Sequence, residues 1–253
     1  MNFQNKTIFV TGAASGIGKA TALEFSARGA KVAVVDRNSE LLAEVVDQIE
    51  ETGAEALALH CDLTQGDEVF AAVQATVSRW GGLDCAVNAA GVEGATKKLL
   101  DEDDALFDLT MDVNLRAVWY CMRSQIEQML KQAEGGSIVN VSSGAGLVGS
   151  ARSAVYSASK HAVLGLTRSA GLQYARNGVR INAVCPSGVQ TPMADRIVDS
   201  FEGGAPSKGG AGYPLGRYST PEEIASGIMW LSSAGAASAI GSVLTIDAGF
   251  TAG

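Results

Sequence analysis

Short, nearly continuous apolar runs alternate along the 253-residue chain with longer segments whose apolar residues recur every three or four positions. The short runs are KTIFVTG, AKVAVVD, EALALHCD, LDCAVNAA, GSIVNVSS, VRINAVCP and SVLTID. Their continuity, in place of a strict polar alternation, predicts parallel strands covered on both faces. Amphipathic segments near residues 17–28, 39–52, 67–80, 103–131, 153–177 and 221–232 predict the helices between them. Thr220-Pro221-Glu222-Glu223 supplies an N-cap, a proline at the first helical position and acidic first-turn residues for the last of these. Seven strands in this rhythm predict an α/β, single-domain Rossmann fold over residues 1–253: a doubly wound seven-stranded parallel sheet with helices on both faces. FEGGAPSKGGAGYPLG, residues 201–216, breaks the rhythm with many glycines and few apolar anchors. Lying between a strand end and a helix, it reads as a mobile substrate lid near residues 192–216.

Composition narrows the partners. At 47% hydrophobic and 18% charged, the chain has the makeup of a globular protein with a substantial core. A net charge of −8 argues against nucleic acid or an anionic membrane as a partner, since phosphates need a basic surface. No run approaches 18 apolar residues, so no membrane span is expected, and MNFQNKTIFVTG lacks the pattern of a signal peptide. Cys61, Cys85, Cys121 and Cys185 are scattered and form no metal-ligand spacing with His60 and His161. Buried reduced thiols, no metal and a cytoplasmic location are the expectation.

Two places carry chemistry. The first strand runs into TGAASGIG, where Gly12, Gly16 and Gly18 allow a tight turn and a close backbone approach to a pyrophosphate. Ser15 and Ile17 belong to the same turn, at the start of the following helix. The second strand ends at Asp36, 18 residues after Gly18, where a carboxylate can accept hydrogen bonds from ribose hydroxyls and repel a 2′-phosphate. NAD is therefore favoured over NADP, although Arg37 could pair with such a phosphate. Farther on, VYSASKHAV sets Tyr156 and Lys160 one helical turn apart. A phenol is a poor base at neutral pH, and a neighbouring ammonium favours its phenolate, so the pair suits proton transfer. His161 points about 100° away from Lys160 and reads as structural or surface-facing.

With these residues in order, the chain resembles the classical short-chain dehydrogenase/reductase family along essentially its whole length. The resemblance implies an adenine contact at Asp62 and Leu63 in CDL, and a cofactor turn at NAAG with Asn88, Ala90 and Gly91, Ala89 replacing a usual asparagine. It implies a catalytic set of Asn114, Ser143, Tyr156 and Lys160, with Ser143 thirteen residues before Tyr156 favoured over Ser142. In that set Ser143 holds the substrate oxygen, Tyr156 is the general acid/base, Lys160 also holds the nicotinamide ribose, and Asn114 positions a relay water. CPSGVQTPM resembles the family's nicotinamide loop, with Pro186, Val189 and Thr191 as contacts and Ser187 where glycine is usual.

The function so implied is an NAD-dependent alcohol dehydrogenase or ketone reductase acting on a small secondary alcohol, a cyclic alcohol or diol being one possibility. An NADPH-dependent 3-oxoacyl carrier-protein reductase is the alternative enzyme; it would want a basic docking patch, for which Arg168, Arg176 and Arg180 are candidates. A cofactor-sensing regulator without catalysis is the alternative outside enzymes. The family further implies a homotetramer built through the C-terminal elements and the two long central helices.

Overall fold

A computed structural model describes residues 1–199 and 210–252. Its centre is a seven-stranded sheet in which every neighbouring pair is parallel. The strands are β1 (Thr7–Thr11), β2 (Lys31–Asp36), β3 (Ala56–His60), β4 (Cys85–Asn88), β5 (Gly136–Val141), β6 (Val179–Pro186) and β7 (Val243–Ile246). Their order is β3-β2-β1-β4-β5-β6-β7. The helices are α1 (Gly16–Ser26), α2 (Ser39–Glu50), α3 (Gly66–Trp80), α4 (Asp104–Met111), α5 (Ala117–Met129), α6 (Ala154–Tyr174), α7 (Pro192–Asp199) and α8 (Pro221–Ser232).

The apolar runs are continuous because each strand feeds two cores. Along β1, Ile8 and Val10 pack into one core with Phe25 of α1, Leu42 of α2 and Ile224 of α8, while Phe9 enters the other with Val69 of α3, Met122 of α5 and Val163 of α6. Phe9 is fully buried, and truncating it to alanine would cost about 3–5 kcal/mol, the removed transfer energy plus a cavity. Leu42, Val45 and Ile49 follow the helical period and alone make up the buried face of α2, whose first turn is capped by Asn38 accepting from Leu41 N at 3.0 Å. At α8 the predicted N-terminus is a full capping box: Thr220 Oγ1 accepts from Glu223 N, and Glu223 Oε2 accepts from Thr220 N.

Two expectations are corrected, on the fourth helix and at the end of the third strand. The helix read over 103–131 is interrupted by a π-helical turn, Asp112–Arg116, between α4 and α5, and this turn contains Asn114. Such turns shift the ladder by one residue and re-aim a side chain, without a glycine or proline to announce them. The region read as a lid near 192–216 begins with a helix, α7, and residues 210–216 are turns docked on the C-terminal loop, Leu215 N donating to Ala248 O at 3.1 Å. The rest of that segment, 200–209, lies outside the described residues. The strand read as EALALHCD ends at His60, so Cys61, Asp62 and Leu63 form the loop after it.

Strands β2 and β3 lie to one side of β1, and β4 to β7 to the other. The winding reverses between β1 and β4, which opens a crevice at their C-terminal ends.

Candidate active site

At the crevice the chain turns at Gly12 with φ +66°, which glycine adopts without strain. A Cβ on Gly12 would lie 2.8 Å from Ala90 Cα, and one on Gly18 would run into the Gly12 carbonyl. The loops after β1 and β4 therefore meet backbone to backbone. Thr11 secures the second loop: its hydroxyl accepts from Ala89 N at 3.1 Å and Ala90 N at 3.3 Å. The signal for this support in the sequence was the threonine ending the first strand.

A cavity of about 390 Å³ extends from this crevice, lined by Gly12, Ser15, Gly16, Ile17 and Gly18 at one end. Ser15 is the exposed N-cap of α1 and makes no capping bond with its side chain. The first N–H groups of a helix lack intrahelical acceptors and carry the positive end of its dipole, so this end suits a phosphate. Asp36 and the exposed Arg37 line the other end. Asp36 is braced against the glycine turn, accepting from Ala14 N at 3.3 Å and Asn38 N at 3.1 Å. Asp62, Leu63, Ala90, Gly91 and Thr191 complete the predicted residues on this wall. Hydrogen bonds from the Thr64 backbone and hydroxyl hold the Asp62 carboxyl below its ordinary value.

Asn88 differs from the expectation. Its side chain is buried, exchanges hydrogen bonds with Gln125 and donates to Asn140 Oδ1 at 2.8 Å, so it ties β4 to α5 and β5 and does not line the cavity.

A second cavity, of about 480 Å³, shares Ile17, Ala89, Gly91, Val92, Thr191 and Met193 with the first and is continuous with it. Ser143, Tyr156, Lys160, Pro186 and Val189 line it. Ser142 donates its hydroxyl to Lys160 O at 2.8 Å, whereas the Ser143 hydroxyl accepts from Ala145 N at 3.1 Å and lines the cavity beside Tyr156. Burial pushes the Tyr156 phenol up from its ordinary value, and the nearby Ser143 hydroxyl pulls it partly back. Lys160 is buried on the same helix face, its Nζ 5.7 Å from the Tyr156 ring centre and donating to Val141 O at 3.2 Å. Burial lowers its pKa to about 8. Asn114 is fully buried behind this wall, with its side chain engaged by Val92 and Ser159. His161 is exposed, its Nδ1 2.9 Å from Ser157 O.

The loop after β6 crosses between the cavities. Thr191 Oγ1 donates to Val189 O and accepts from Ala194 N, each at 3.3 Å, which starts α7. Arg196 of α7 reaches back to Glu93 in the loop after β4, with Nε 2.6 Å and Nη2 3.1 Å from the two carboxylate oxygens. This pairing across 103 residues left no trace in the sequence pattern. The basic patch imagined from Arg168, Arg176 and Arg180 is incomplete, because Arg180 spends its guanidinium on the carbonyls of Leu231, Ser232, Ser233 and Ala236. Among the described residues no group of three or more His, Cys, Asp or Glu side chains is placed to hold a metal, and no helix is long and apolar enough to cross a membrane.

Residues 12–251 match a family model described as "Enoyl-(Acyl carrier protein) reductase". The 2,5-dichloro-2,5-cyclohexadiene-1,4-diol dehydrogenase of Sphingobium indicum is 41% identical over 251 residues, covering 99% of each chain. The chain belongs to the short-chain dehydrogenase/reductase family. The cyclohexanol dehydrogenase of an Acinetobacter strain is 39% identical, covering 98% of this chain and 96% of that one. Among solved structures, levodione reductase superposes with a TM-score of 0.95 at 34% identity and 99% coverage of both chains. This short-chain dehydrogenase/reductase is an oxidoreductase interconverting secondary alcohols and ketones. Its family uses a nicotinamide dinucleotide, and solved neighbours include one with NAD and one with NADPH. The residues present fit such a group: a glycine turn whose backbone lines the groove, a helix N-terminus without a side-chain cap and a carboxylate at the end of β2.

Proposed function

We propose that this protein is an NAD-dependent dehydrogenase and ketone reductase for secondary alcohols of alicyclic type, working through Tyr156 as general acid/base. The observation that carries this reading is the meeting of Ser143, Tyr156 and Lys160 on one wall of a cavity continuous with the groove that Asp36 borders. NAD, when bound, supplies the acceptor for the hydride leaving the carbinol carbon. The groove at Gly12, Ser15, Gly16, Ile17 and Gly18 would hold its pyrophosphate, and Asp36 its adenosine ribose. Asp62 and Leu63 would border the adenine, and Thr191, Val189 and Pro186 the nicotinamide.

The chain's own work is proton handling. Ser143 donates to the substrate oxygen and orients the hydroxyl toward Tyr156. Tyr156 takes the hydroxyl proton as the C–H hydride departs, leaving a ketone; in reduction it returns that proton to the carbonyl oxygen. A protonated Lys160 one turn away stabilises the phenolate that starts the oxidation. Asn114 acts as a positioning residue, holding the loop that borders Lys160.

The test is NADH absorbance during incubation with NAD⁺ and a panel of secondary and cyclic alcohols. Tyr156→Phe should lower turnover by at least about 100-fold while NADH binding stays near that of the native protein. Near-normal turnover in that variant would overturn the mechanism.

Three further features belong to the same reading. Helix α7, tied across the mouth by Arg196 and Glu93, acts as the moving part over the site. Trp119 on α5, Leu172 on α6 and Trp230 on α8 are exposed, as expected of faces that a homotetramer would cover. The four cysteines are free and buried, and burial pushes Cys61 up to about 11 and Cys85 up to about 12, which fits inert thiols in a reducing cytoplasm.

A further inference from the structure

The second cavity is polar at its catalytic end, and Val92, Ala145, Met193, Ile197, Val198 and Phe250 give it apolar surface. Against that surface stand two further hydroxyls, Ser187 Oγ and Tyr213 OH, 3.3 Å apart. Both side chains are half-buried, and neither hydroxyl has another hydrogen-bond partner among the described residues. A hydroxyl pair prefers about 2.7–2.8 Å, so the two satisfy each other poorly.

Their position is fixed by the fold. A Cβ on Gly144 would lie 3.1 Å from Ser187 Cβ, so Ser187 packs on the residue next to Ser143. Tyr213 is held edge-on by Tyr218, with ring centres 5.4 Å apart, and rests against Phe250 at 5.6 Å. Gly188, at φ +55°, makes room: a Cβ there would lie 2.7 Å from both tyrosine rings. Tyr213 N further donates to Gly210 O at 2.9 Å.

We propose that Ser187 and Tyr213 form a second oxygen-binding subsite, which makes the preferred substrate an alicyclic secondary alcohol or ketone carrying another hydroxyl or carbonyl group. This rests on the reading of Tyr156, Ser143 and Lys160 as the reacting end. When one hydroxyl of the pair donates to the other, the second still has its own proton to give, and the lone pairs of both remain available. A third oxygen inserted beside them completes the set. A substrate without it leaves two partly buried hydroxyls poorly paired in apolar surroundings, and sites built this way discriminate strongly against the deoxy analogue.

The experiment compares kcat/KM for cyclohexanol with that for the 1,2-, 1,3- and 1,4-cyclohexanediols, in the native protein and in Ser187→Gly, Tyr213→Phe and the double variant. The native protein should favour at least one diol isomer by about tenfold or more. Each single variant should cut that ratio several-fold, mainly through KM for the diol, and the double variant should cut it little further, because the two hydroxyls act on one oxygen. Ser187→Thr, which keeps the hydroxyl, should retain the preference. A binding readout runs beside it: calorimetric titration of 1,4-cyclohexanedione into Tyr156→Phe with NADH should weaken when Tyr213→Phe is added. Equal efficiency on cyclohexanol and every diol, or a ratio unmoved by the variants, overturns the subsite and leaves the dehydrogenase reading standing. Absence of turnover with all alcohols and both cofactors sinks both.

Discussion

Asn114 and Val92 exchange two hydrogen bonds: Asn114 Oδ1 accepts from Val92 N at 2.8 Å, and its Nδ2 donates to Val92 O at 3.0 Å. The amide thus completes the backbone of the loop after β4 as a neighbouring strand would, and the π-helical turn is what aims it there. Nδ2 also lies 3.2 Å from Ser159 Oγ on α6, one residue before Lys160. Asn114→Ala should therefore destabilise the protein by about 1–3 kcal/mol, the cost of leaving inward-facing backbone groups unpaired. Denaturant unfolding measures this. Asn114→Asp keeps the acceptor for Val92 N but sets a carboxylate oxygen against Val92 O, so it should not restore the native midpoint. A native-like midpoint in Asn114→Ala would mean the loop holds itself.

Lys160 pits stability against function. Its ordinary pKa of 10.5 falls to about 8 in the fold because burial penalises the charge. Below pH 8 both folded and unfolded states carry the proton, and the full penalty is present. Between about pH 8 and 10.5 the folded protein sheds a proton that the unfolded chain keeps, so this contribution to stability improves with rising pH and is complete above 10.5. Lys160→Met should thus inactivate the enzyme yet stabilise the protein without cofactor at pH 7, by up to a few kcal/mol at about 1.4 per pKa unit. Unfolding midpoints for both proteins should converge between pH 8 and 10. A gap that stays constant with pH would assign the difference to packing instead.

How much of this could be read from the chain follows from what each feature depends on. The seven strands and their parallel order were legible because a strand buried on two faces must be apolar at nearly every position, as Ile8, Phe9 and Val10 are. The closeness of Tyr156 and Lys160 was legible because their spacing is one helical turn, while Ser143 was singled out only by the family resemblance; all three line one cavity. The direction of the Asn88 side chain was not legible because strand-end position does not reveal which way a side chain turns; its amide is consumed by Gln125 and Asn140, residues 37 and 52 positions away. The Ser187–Tyr213 pair and the Arg196–Glu93 pair were invisible for the same reason. Each joins loops whose proximity is a product of the finished fold.

Asp36 should set cofactor choice by charge. Its carboxylate lines the groove at the end proposed above for the adenosine ribose, and exposed Arg37 stands beside it. Asp36→Asn removes the charge but keeps an oxygen able to accept from Ala14 N or Asn38 N, so folding should change little. The ratio of kcat/KM for NADP⁺ to that for NAD⁺ should rise at least about tenfold, a shift near 1.4 kcal/mol. Unchanged selectivity would remove Asp36 from the ribose end of the site.

The Arg196–Glu93 pair should govern how fast the site opens. Exposed ion pairs contribute about 0.2–1 kcal/mol, and two-point guanidinium geometry favours the upper part of that range. Glu93→Gln should leave thermal stability almost unchanged but speed NADH release up to about fivefold, as read by stopped-flow fluorescence. High salt should shrink the difference by screening the native pair. The hydrogen bond from Arg196 pushes the Glu93 carboxyl below its ordinary value of 4.5, so the pair is complete above that value. It is lost only as pH falls through the lowered one, and release should therefore be insensitive to this group from pH 6 to 8. If Glu93→Gln releases NADH at the native rate in low salt, α7 is not held by this pair, and the exit of NADH is controlled elsewhere.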